Sequence, residues 1–241
     1  MLTNHRRAFW VATVLLASLV ILFLAVGRHP ESEAPRTTVA FVGRFDLSVY
    51  RWTDDIRNGP LTLLARFLNV VGGGKVTIPL RILVAAWLGL RTRWRALATW
   101  LLTWAAAEIV LGLAKPFFHR GRPPGGLVDT MGFSFPSGHA VAGAATAVAL
   151  VLVLFPPGRE RRRWEILAVV FAFVMASSRV YLQAHWFSDV VAGVLLGAGV
   201  ALGSAALMTE VRDLAMRRRA RLAEQAPSGE GRLETGTATP P

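Results

Sequence analysis

A histidine and an aspartate near residue 185 have a spacing suited to nucleophilic or acid–base chemistry. His185 and Asp189 are four residues apart, so a helix beginning here lets the carboxylate reach one imidazole nitrogen. A carboxylate on one nitrogen fixes the tautomer and leaves the other nitrogen free as a nucleophile or a base. The stretch Ser178–Asp189 also contains Arg179 and lies between two long apolar segments. Polar groups at the edge of a membrane span cost free energy, so we interpret the stretch as a site.

A second polar group, Pro136-Ser137-Gly138-His139, precedes another apolar block. Backbone N–H groups at a helix N-terminus bind anions, and the Ser137 hydroxyl adds a donor. His139 would then lie beside the anion, where it can give a proton to a departing oxygen. The ordinary alternative is that Ser137 is only a helix cap and Gly138 only a turn residue.

A third group, Lys115 and Arg122-Pro123, follows an apolar block. Lysine as a point charge and arginine as a bidentate fork together suit a phosphate. The alternative is a basic loop beside the membrane that binds lipid headgroups. His119 and Arg120 lie between the two cations, and either could contact a headgroup. With the groups above, three cations, a helix N-terminus, two histidines and a carboxylate predict phosphoryl transfer.

The composition indicates that membrane helices position these groups. Of the 241 residues, 53% are hydrophobic and only 17% charged, and the mean hydropathy is +0.44, which is typical of a membrane protein. We predict an all-α, polytopic membrane protein with a six-helix transmembrane bundle. Blocks of spanning length lie near residues 8–27, 75–90, 96–114, 139–155, 165–181 and 189–208.

The segments outside these spans have their own expectations. Residues 61–71 are predicted to form a short interfacial or re-entrant helix, and residues 44–60 an outer amphipathic helix. The first span follows a basic start but has no clear cleavage site, so we expect it to be retained, a cleaved signal peptide being the alternative. Residues 1–210 are predicted to be one transmembrane domain, and residues 211–241 a basic, then disordered, cytoplasmic tail.

The basic residues predict the orientation of the bundle. A formal charge of +12 would suggest a nucleic-acid partner in a soluble chain, but here the arginines cluster between apolar blocks, so we expect no nucleic acid. The chain has no cysteine, which excludes disulfides and cysteine-ligated metals. The arginine bias predicts both termini inside and the three polar groups outside. The inside clusters are Arg6–Arg7, Arg91–Arg95, Arg159–Arg163 and Arg212–Arg232.

These motifs resemble those of a known enzyme family. The chain contains K-x6-R-P ending at Pro123, P-S-G-H ending at His139 and S-R-x5-H-x3-D ending at Asp189. These resemble the three signature motifs of the type 2 phosphatidic acid phosphatase (PAP2) family. That family shares its site with vanadium haloperoxidases, and the resemblance implies the same helical bundle. Gln183 and Phe187 stand where relatives often carry glycine and proline, and we expect them to tune the pocket rather than the chemistry.

The resemblance also implies a mechanism. His185 attacks phosphorus and forms a phosphohistidine, Asp189 holds its imidazole, and His139 protonates the leaving oxygen and then activates water. The family needs no metal or other cofactor, and we expect none. The residues implied to bind the phosphate are Lys115, Arg122, Ser137, Gly138 and Arg179.

The sequence thus predicts a membrane phosphatase that hydrolyses lipid phosphates or diphosphates at the outer face of the membrane. Candidate substrates are undecaprenyl diphosphate, phosphatidate, phosphatidylglycerol phosphate and lipid A. A lipid phosphotransferase using the same site and a non-catalytic lipid-binding relative are the alternatives, while a haloperoxidase is disfavoured in a membrane bundle. We expect the protein to lie in a bacterial inner membrane. The sequence does not indicate its oligomeric state. Glu108, inside a span, is expected to pair within the bundle rather than shape the pocket.

Overall fold

The computed structural model describes residues 5–26 and 38–225. Within them the chain is entirely helical, which confirms the predicted all-α fold class. The helices follow the apolar blocks, since in a bilayer each helix satisfies its own backbone hydrogen bonds. The helices are α1 His5–Val26, α2 Thr38–Asp55, α3 Gly59–Val71, α4 Gly74–Leu90, α5 Trp94–Phe118, α6 Gly138–Leu154, α7 Arg159–Tyr181 and α8 Phe187–Gln225.

Glycines let α6 and α8 run side by side in close contact. A Cβ added at Gly193 would lie 2.7 Å from the Ser137 carbonyl oxygen, and one at Gly197 would lie 2.5 Å from the Val141 carbonyl oxygen. Both contacts are with backbone atoms, so only glycine permits this approach. The residue order of these contacts makes the two helices parallel. Their N-termini therefore lie at the same end of the bundle.

Helices α5 and α7 run in the opposite direction and end where α6 and α8 begin. On α7, Met175 packs against Gly143 of α6, and further along the chain Val180 joins a cluster with Ala140. On α5, Arg95 reaches the Met208 carbonyl, while Phe118 packs with Val141 and neighbouring residues. All three polar motifs therefore lie at one end of the bundle, as expected from their order in the chain.

The number of membrane spans agrees only approximately with the predicted six. Among the described residues, four helices (α1, α5, α7 and α8) are long and apolar enough to cross a membrane, or five if the bent pair α3 and α4 is one span. The pair bends by 45° at the break, which supports the expected re-entrant or interfacial segment near residues 61–71. Helix α6 is apolar but has only 17 residues, so it is a shorter apolar helix and not one of these candidate spans.

Two boundaries differ from the prediction. The expected amphipathic helix at 44–60 is instead α2, which ends at Asp55, and α3 begins at Gly59. Asn58 separates them because its side chain accepts the Leu61 N–H at 2.9 Å, an N-cap that starts a new helix. Helix α8 continues through the basic segment to Gln225 instead of ending near residue 208. The expected disordered tail, residues 226–241, lies outside the described residues.

Glu108 forms an ion pair with Arg81, but 58% of the Glu108 side chain is exposed at the surface of the bundle, so the carboxylate is not inside the bundle as expected. Arg81 of α4 donates to Glu108 at 2.9 Å and to the Thr146 hydroxyl at 3.1 Å. Its guanidinium also lies 4.6 Å from the centre of the Trp104 ring. A buried guanidinium in an apolar bundle requires such partners. The pair therefore joins α4 to α5 and α6, away from the three motifs.

Candidate active site

Hydrogen bonds between the three motifs bring them into one site. The Ser137 N–H donates to the Asp189 carbonyl at 3.0 Å, which joins the second motif to the third. Arg122 Nη1 lies 3.2 Å from His185 Nε2, which joins the first motif to the third. Because loops and helix ends supply every group, the site forms only when α5, α6, α7 and α8 are packed together.

The contacts of His185 determine its tautomer. Its Nδ1 lies 2.7 Å from the Ser134 carbonyl oxygen, and a carbonyl can only accept, so Nδ1 carries the proton. Nε2 then has the lone pair, to which Arg122 donates at 3.2 Å. The imidazole is buried, with 3% of its side chain exposed. Nε2 is thus an unprotonated nitrogen that faces a guanidinium.

Asp189 lies further from His185 than the spacing suggested. Asp189 Oδ2 is 3.6 Å from His185 Nδ1, and the shorter contact of that nitrogen is with Ser134. The carboxylate is instead occupied by the Trp186 N–H at 2.8 Å and by Arg120 Nη1 at 2.6 Å. Asp189 therefore acts on His185 mainly as a nearby negative charge, and Ser134 fixes the ring.

Lys115 and Arg122 converge on one short loop. Lys115 Nζ donates to the Phe133 carbonyl at 2.7 Å, and Arg122 Nη2 donates to the same oxygen at 3.3 Å. Arg122 also donates to the carbonyls of Met131, Gly132 and Ala184. The Phe133 carbonyl thus brings the two cationic side chains together, and Arg122 also reaches His185 Nε2.

The N-terminus of α6 and the end of α7 supply the remaining predicted groups. Ser137 is fully buried, and its Oγ has no hydrogen-bond partner among the described residues, nor does Arg179 Nε. Gly138 is the first residue of α6. Buried polar atoms normally have partners, so these two donors are free to bind a ligand.

Asn69 of α3 holds both His139 and Arg179. Its carbonyl oxygen lies 3.1 Å from His139 Nε2, and its side-chain oxygen accepts from Arg179 Nη1. Since the carbonyl only accepts, His139 carries a proton on Nε2 and has Nδ1 as its other nitrogen. Ends of α3, α6 and α7 meet here, and Gly72 after α3 packs against the His139 ring.

The structure adds residues that the sequence did not predict. Arg120, one of two candidates for a headgroup contact, instead has its guanidinium occupied within the protein, where it bridges Asp189 and Asp46 at 2.6 Å each. Asp46 and Asn69 belong to helices outside the three motifs, and Ser134 contributes only its carbonyl. Residue types do not show which backbone carbonyl will accept a hydrogen bond, so Ser134 could not be predicted. An aspartate in the apolar half of α2 was a signal that Asp46 has a buried partner.

Gln183 occupies a backbone conformation that glycine adopts easily. Its φ is +51°, in the left-handed region that costs a non-glycine residue free energy. The side chain is buried, and its Nε2 has no partner among the described residues. Glycine would adopt this conformation at a lower cost in free energy.

Burial and charge set the protonation of the loop groups. Burial lowers the pKa of His185 below its ordinary value; the Asp189 carboxylate opposes this, and Arg122 adds to it. For Arg120, burial is outweighed by Asp189 and Asp46, so its pKa is raised. Burial lowers the pKa of Arg122, which still leaves it a cation. The site therefore combines a neutral imidazole with fixed positive charges.

The described part of the chain has no cluster of side chains suited to a metal ion. Within residues 5–26 and 38–225, no group of three or more His, Asp or Glu side chains is arranged to hold a metal ion. The acidic residues nearest the site, Asp46 and Asp189, are both bound to Arg120. The donors directed toward the site are cationic or hydroxyl groups, which bind an anion rather than a cation.

Comparison with known proteins agrees with this geometry. Residues 96–213 match the family model of the PAP2 superfamily. Phosphatidylglycerophosphatase B of Bacillus subtilis (strain 168) is 26% identical over 187 residues, which is 75% of this chain and 88% of that protein. Undecaprenyl-diphosphatase of Sulfolobus acidocaldarius is 27% identical over 200 residues, which is 80% of this chain and 87% of that protein.

A solved structure shares the architecture. The transmembrane PAP2-type phosphatidylglycerolphosphate phosphatase from Bacillus subtilis aligns with a TM-score of 0.71 at 25% identity, covering 84% of this chain and 98% of that one. Fold and site together define a membrane-embedded helical phosphatase that acts on lipid phosphates. The chain belongs to the PAP2 superfamily.

Proposed function

We propose that the chain hydrolyses lipid phosphates or diphosphates at the outer face of a bacterial inner membrane, through a phosphohistidine and without a metal ion. The observation that carries the proposal is the state of His185. Its Nδ1 proton is held by the Ser134 carbonyl at 2.7 Å, and its Nε2 lone pair faces Arg122 at 3.2 Å. A phosphate bound by Arg122 would therefore meet a nucleophile that is already deprotonated.

In the first step, His185 Nε2 attacks phosphorus while the bond from phosphorus to the lipid oxygen breaks. The imidazole gains positive charge, which the buried Asp189 carboxylate stabilises. Charge also develops on the phosphoryl oxygens, where Lys115, Arg122 and Arg179 act together with the Ser137 hydroxyl and the Gly138 N–H. These donors are held by the fold before substrate binds, so they need little reorganisation.

His139 acts as the general acid and then as the general base. Asn69 holds its Nε2 proton at 3.1 Å, which leaves Nδ1 as the nitrogen that exchanges. Before the first step Nδ1 takes up a proton from solvent, so that the ring is doubly protonated, and in the first step it gives that proton to the departing lipid oxygen. In the second step it takes a proton from water as that water attacks phosphorus, and inorganic phosphate leaves while His185 Nε2 recovers its lone pair.

The depth of the site suits a lipid substrate. The three motifs lie where α5, α7, α6 and α8 end or begin, so the reacting groups lie near headgroup level while apolar helices continue into the bilayer. The relatives' names give two candidate substrates, phosphatidylglycerol phosphate and undecaprenyl diphosphate. Phosphatidate and lipid A complete the panel to be tested.

The test is phosphate release from these four lipids by purified protein in EDTA. We expect turnover of at least one lipid in EDTA, and a strict requirement for added Mg²⁺ would contradict the mechanism. His185→Ala should remove turnover and acid-labile phosphoprotein together while the protein still folds. Phosphate that appears on an added acceptor instead of in water would identify a phosphotransferase.

A further inference from the structure

The structure contains a buried carboxylate near the site that none of the three motifs includes. Asp46 lies on α2, and only 2% of its side chain is exposed. Its neighbours on the same helix, such as Asp54, are largely exposed. A buried carboxylate is costly unless fully bonded, so its partners indicate why it is there.

Asp46 binds the first turn of α8. Its Oδ1 accepts the Ser188 N–H at 2.8 Å, and its Oδ2 accepts the Ser188 hydroxyl at 2.6 Å. The first N–H groups of a helix have no partner within that helix. Asp46 thus caps, from another helix, the turn that carries Asp189.

Asp46 also binds the arginine that holds Asp189. Arg120 Nη2 donates to Asp46 and Arg120 Nη1 donates to Asp189, both at 2.6 Å. The charges alternate along the row Asp46, Arg120, Asp189, and His185 comes next, 3.6 Å beyond Asp189. With Asp46 neutralised, the Arg120 cation would act on Asp189 without compensation and weaken the negative charge that faces His185.

We propose that Asp46 is a positioning residue for the reaction: it holds Arg120 and the start of α8 so that Asp189 stays in place and stays negative beside His185. This inference rests on the proposed function of His185 as the nucleophile. It makes α2, which lies outside the motifs, part of the catalytic apparatus. The competing explanation is that Asp46 only fastens α2 to α8.

The test is Asp46→Asn, which keeps the shape and an acceptor for Ser188 but removes the charge. We expect kcat to fall roughly ten- to hundredfold, as for other residues that orient a reacting group, with KM within about twofold because the phosphate ligands are untouched. The formation rate of phosphohistidine should fall equally, and Asp46→Glu should restore part of it. The matched control is Asp54→Asn on the same helix, where Asp54 pairs with Arg57 at 3.0 Å.

Several outcomes would overturn the inference. One such outcome is an equal kcat per folded protein in Asp46→Asn and Asp54→Asn, even if Asp46→Asn has the lower melting temperature. That result would mean that Asp46 only stabilises the contact between α2 and α8. If Asp46→Asn does not fold, Arg120→Lys replaces it. Arg120→Lys keeps the cation but cannot bridge two carboxylates with a planar fork, and an undiminished kcat there overturns the inference.

A second measurement separates this inference from the proposed function. The Nδ1–H proton resonance of His185, assigned with His185→Gln, reports the ring environment without turnover. It should shift in Asp46→Asn and not in Asp54→Asn, and no shift overturns the inference. If wild-type protein turns over none of the four lipids but the resonance shifts, the proposed function fails and the positioning contact stands.

Discussion

At the scale of single residues, the neutral state of His185 has a consequence for the pH dependence. Burial disfavours its charged form, and although Asp189 opposes this, the pKa of His185 lies below the ordinary value of 6.5. Arg122 and Arg179 add to the lowering, and these with Asp189 are the charged groups that act on the ring. The nucleophile therefore stays neutral as the pH falls through 6.5 and is protonated only at lower pH.

We predict that the His185 imidazole in phosphate-free protein titrates with a midpoint below 6.5. The measurement is the carbon-13 shift of its Cε1 atom in detergent. Asp189→Asn removes the opposing charge and should move the midpoint lower still. A wild-type midpoint at or above 6.5 would contradict the assignment of burial as the dominant cause.

Ser137 tests whether an unpartnered hydroxyl serves the ligand. Its buried Oγ has no partner among the described residues, so Ser137→Ala removes no hydrogen bond of the fold. Because hydrogen bonds to charged groups contribute about 1.5–3 kcal/mol, we expect kcat/KM to fall roughly ten- to a hundredfold. The melting temperature should stay the same or rise slightly. A lower melting temperature with unchanged kcat/KM would assign Ser137 a structural role only.

At the scale of elements, the contact between α6 and α8 sets the geometry of the site. Both helices begin at the site, and glycines on α8 fix their separation. Gly197 is the tightest position, since an added Cβ would lie 2.5 Å from the Val141 carbonyl oxygen and 2.8 Å from the Ala145 nitrogen. Backbone atoms cannot move aside as a flexible side chain can, so the helices would have to separate.

We predict that Gly197→Ala destabilises the protein by about 1–3 kcal/mol, the usual cost of overpacking. The measurement is thermal unfolding in detergent, with kcat recorded on the folded protein. Gly112→Ala on α5 is the matched control, because an added Cβ there meets nothing within 4 Å. That variant should be neutral or more stable by up to about 1 kcal/mol. Equal effects of the two substitutions would refute the role of the close packing.

At the scale of the whole molecule, the length of α8 indicates how the bundle sits in a bilayer. Its 39 residues extend roughly 58 Å, about twice the hydrocarbon thickness of a bilayer. Its apolar first part begins at the site, so its basic end lies beyond the opposite membrane surface. With the arginine bias, this length supports the proposed orientation, with the site outside and the end of α8 inside.

Because the chain has no cysteine, single cysteines can test that orientation. Met131 in the loop beside the site is 93% exposed, and Met216 near the end of α8 is 60% exposed. In intact spheroplasts, an impermeant maleimide should label Met131→Cys at once and Met216→Cys only after permeabilisation. The reverse pattern would place the site in the cytoplasm and contradict the proposed outer-face action.

The site residues predicted from the sequence lie together in the structure because each could be recognised from its residue type. Charged groups and histidines at the ends of apolar blocks are visible in a sequence, and chain order alone places alternate ends on one face. The ion pairs of Arg120 were not predicted because its type is visible but its direction is not. Its partner Asp46 lies 74 residues away, and such a distant pairing depends on how α2 docks against α8.

The sequence by itself determined the all-α class, the apolar blocks and the chemical groups of the site, because hydrophobicity and residue type are local properties. Tertiary structure alone decided that Ser134 holds His185 Nδ1 and that Asn69 joins His139 to Arg179. It also decided that Arg120 pairs with both Asp46 and Asp189. These contacts use backbone carbonyls and carboxylates from different helices, and their partners are fixed by packing, which no local pattern encodes.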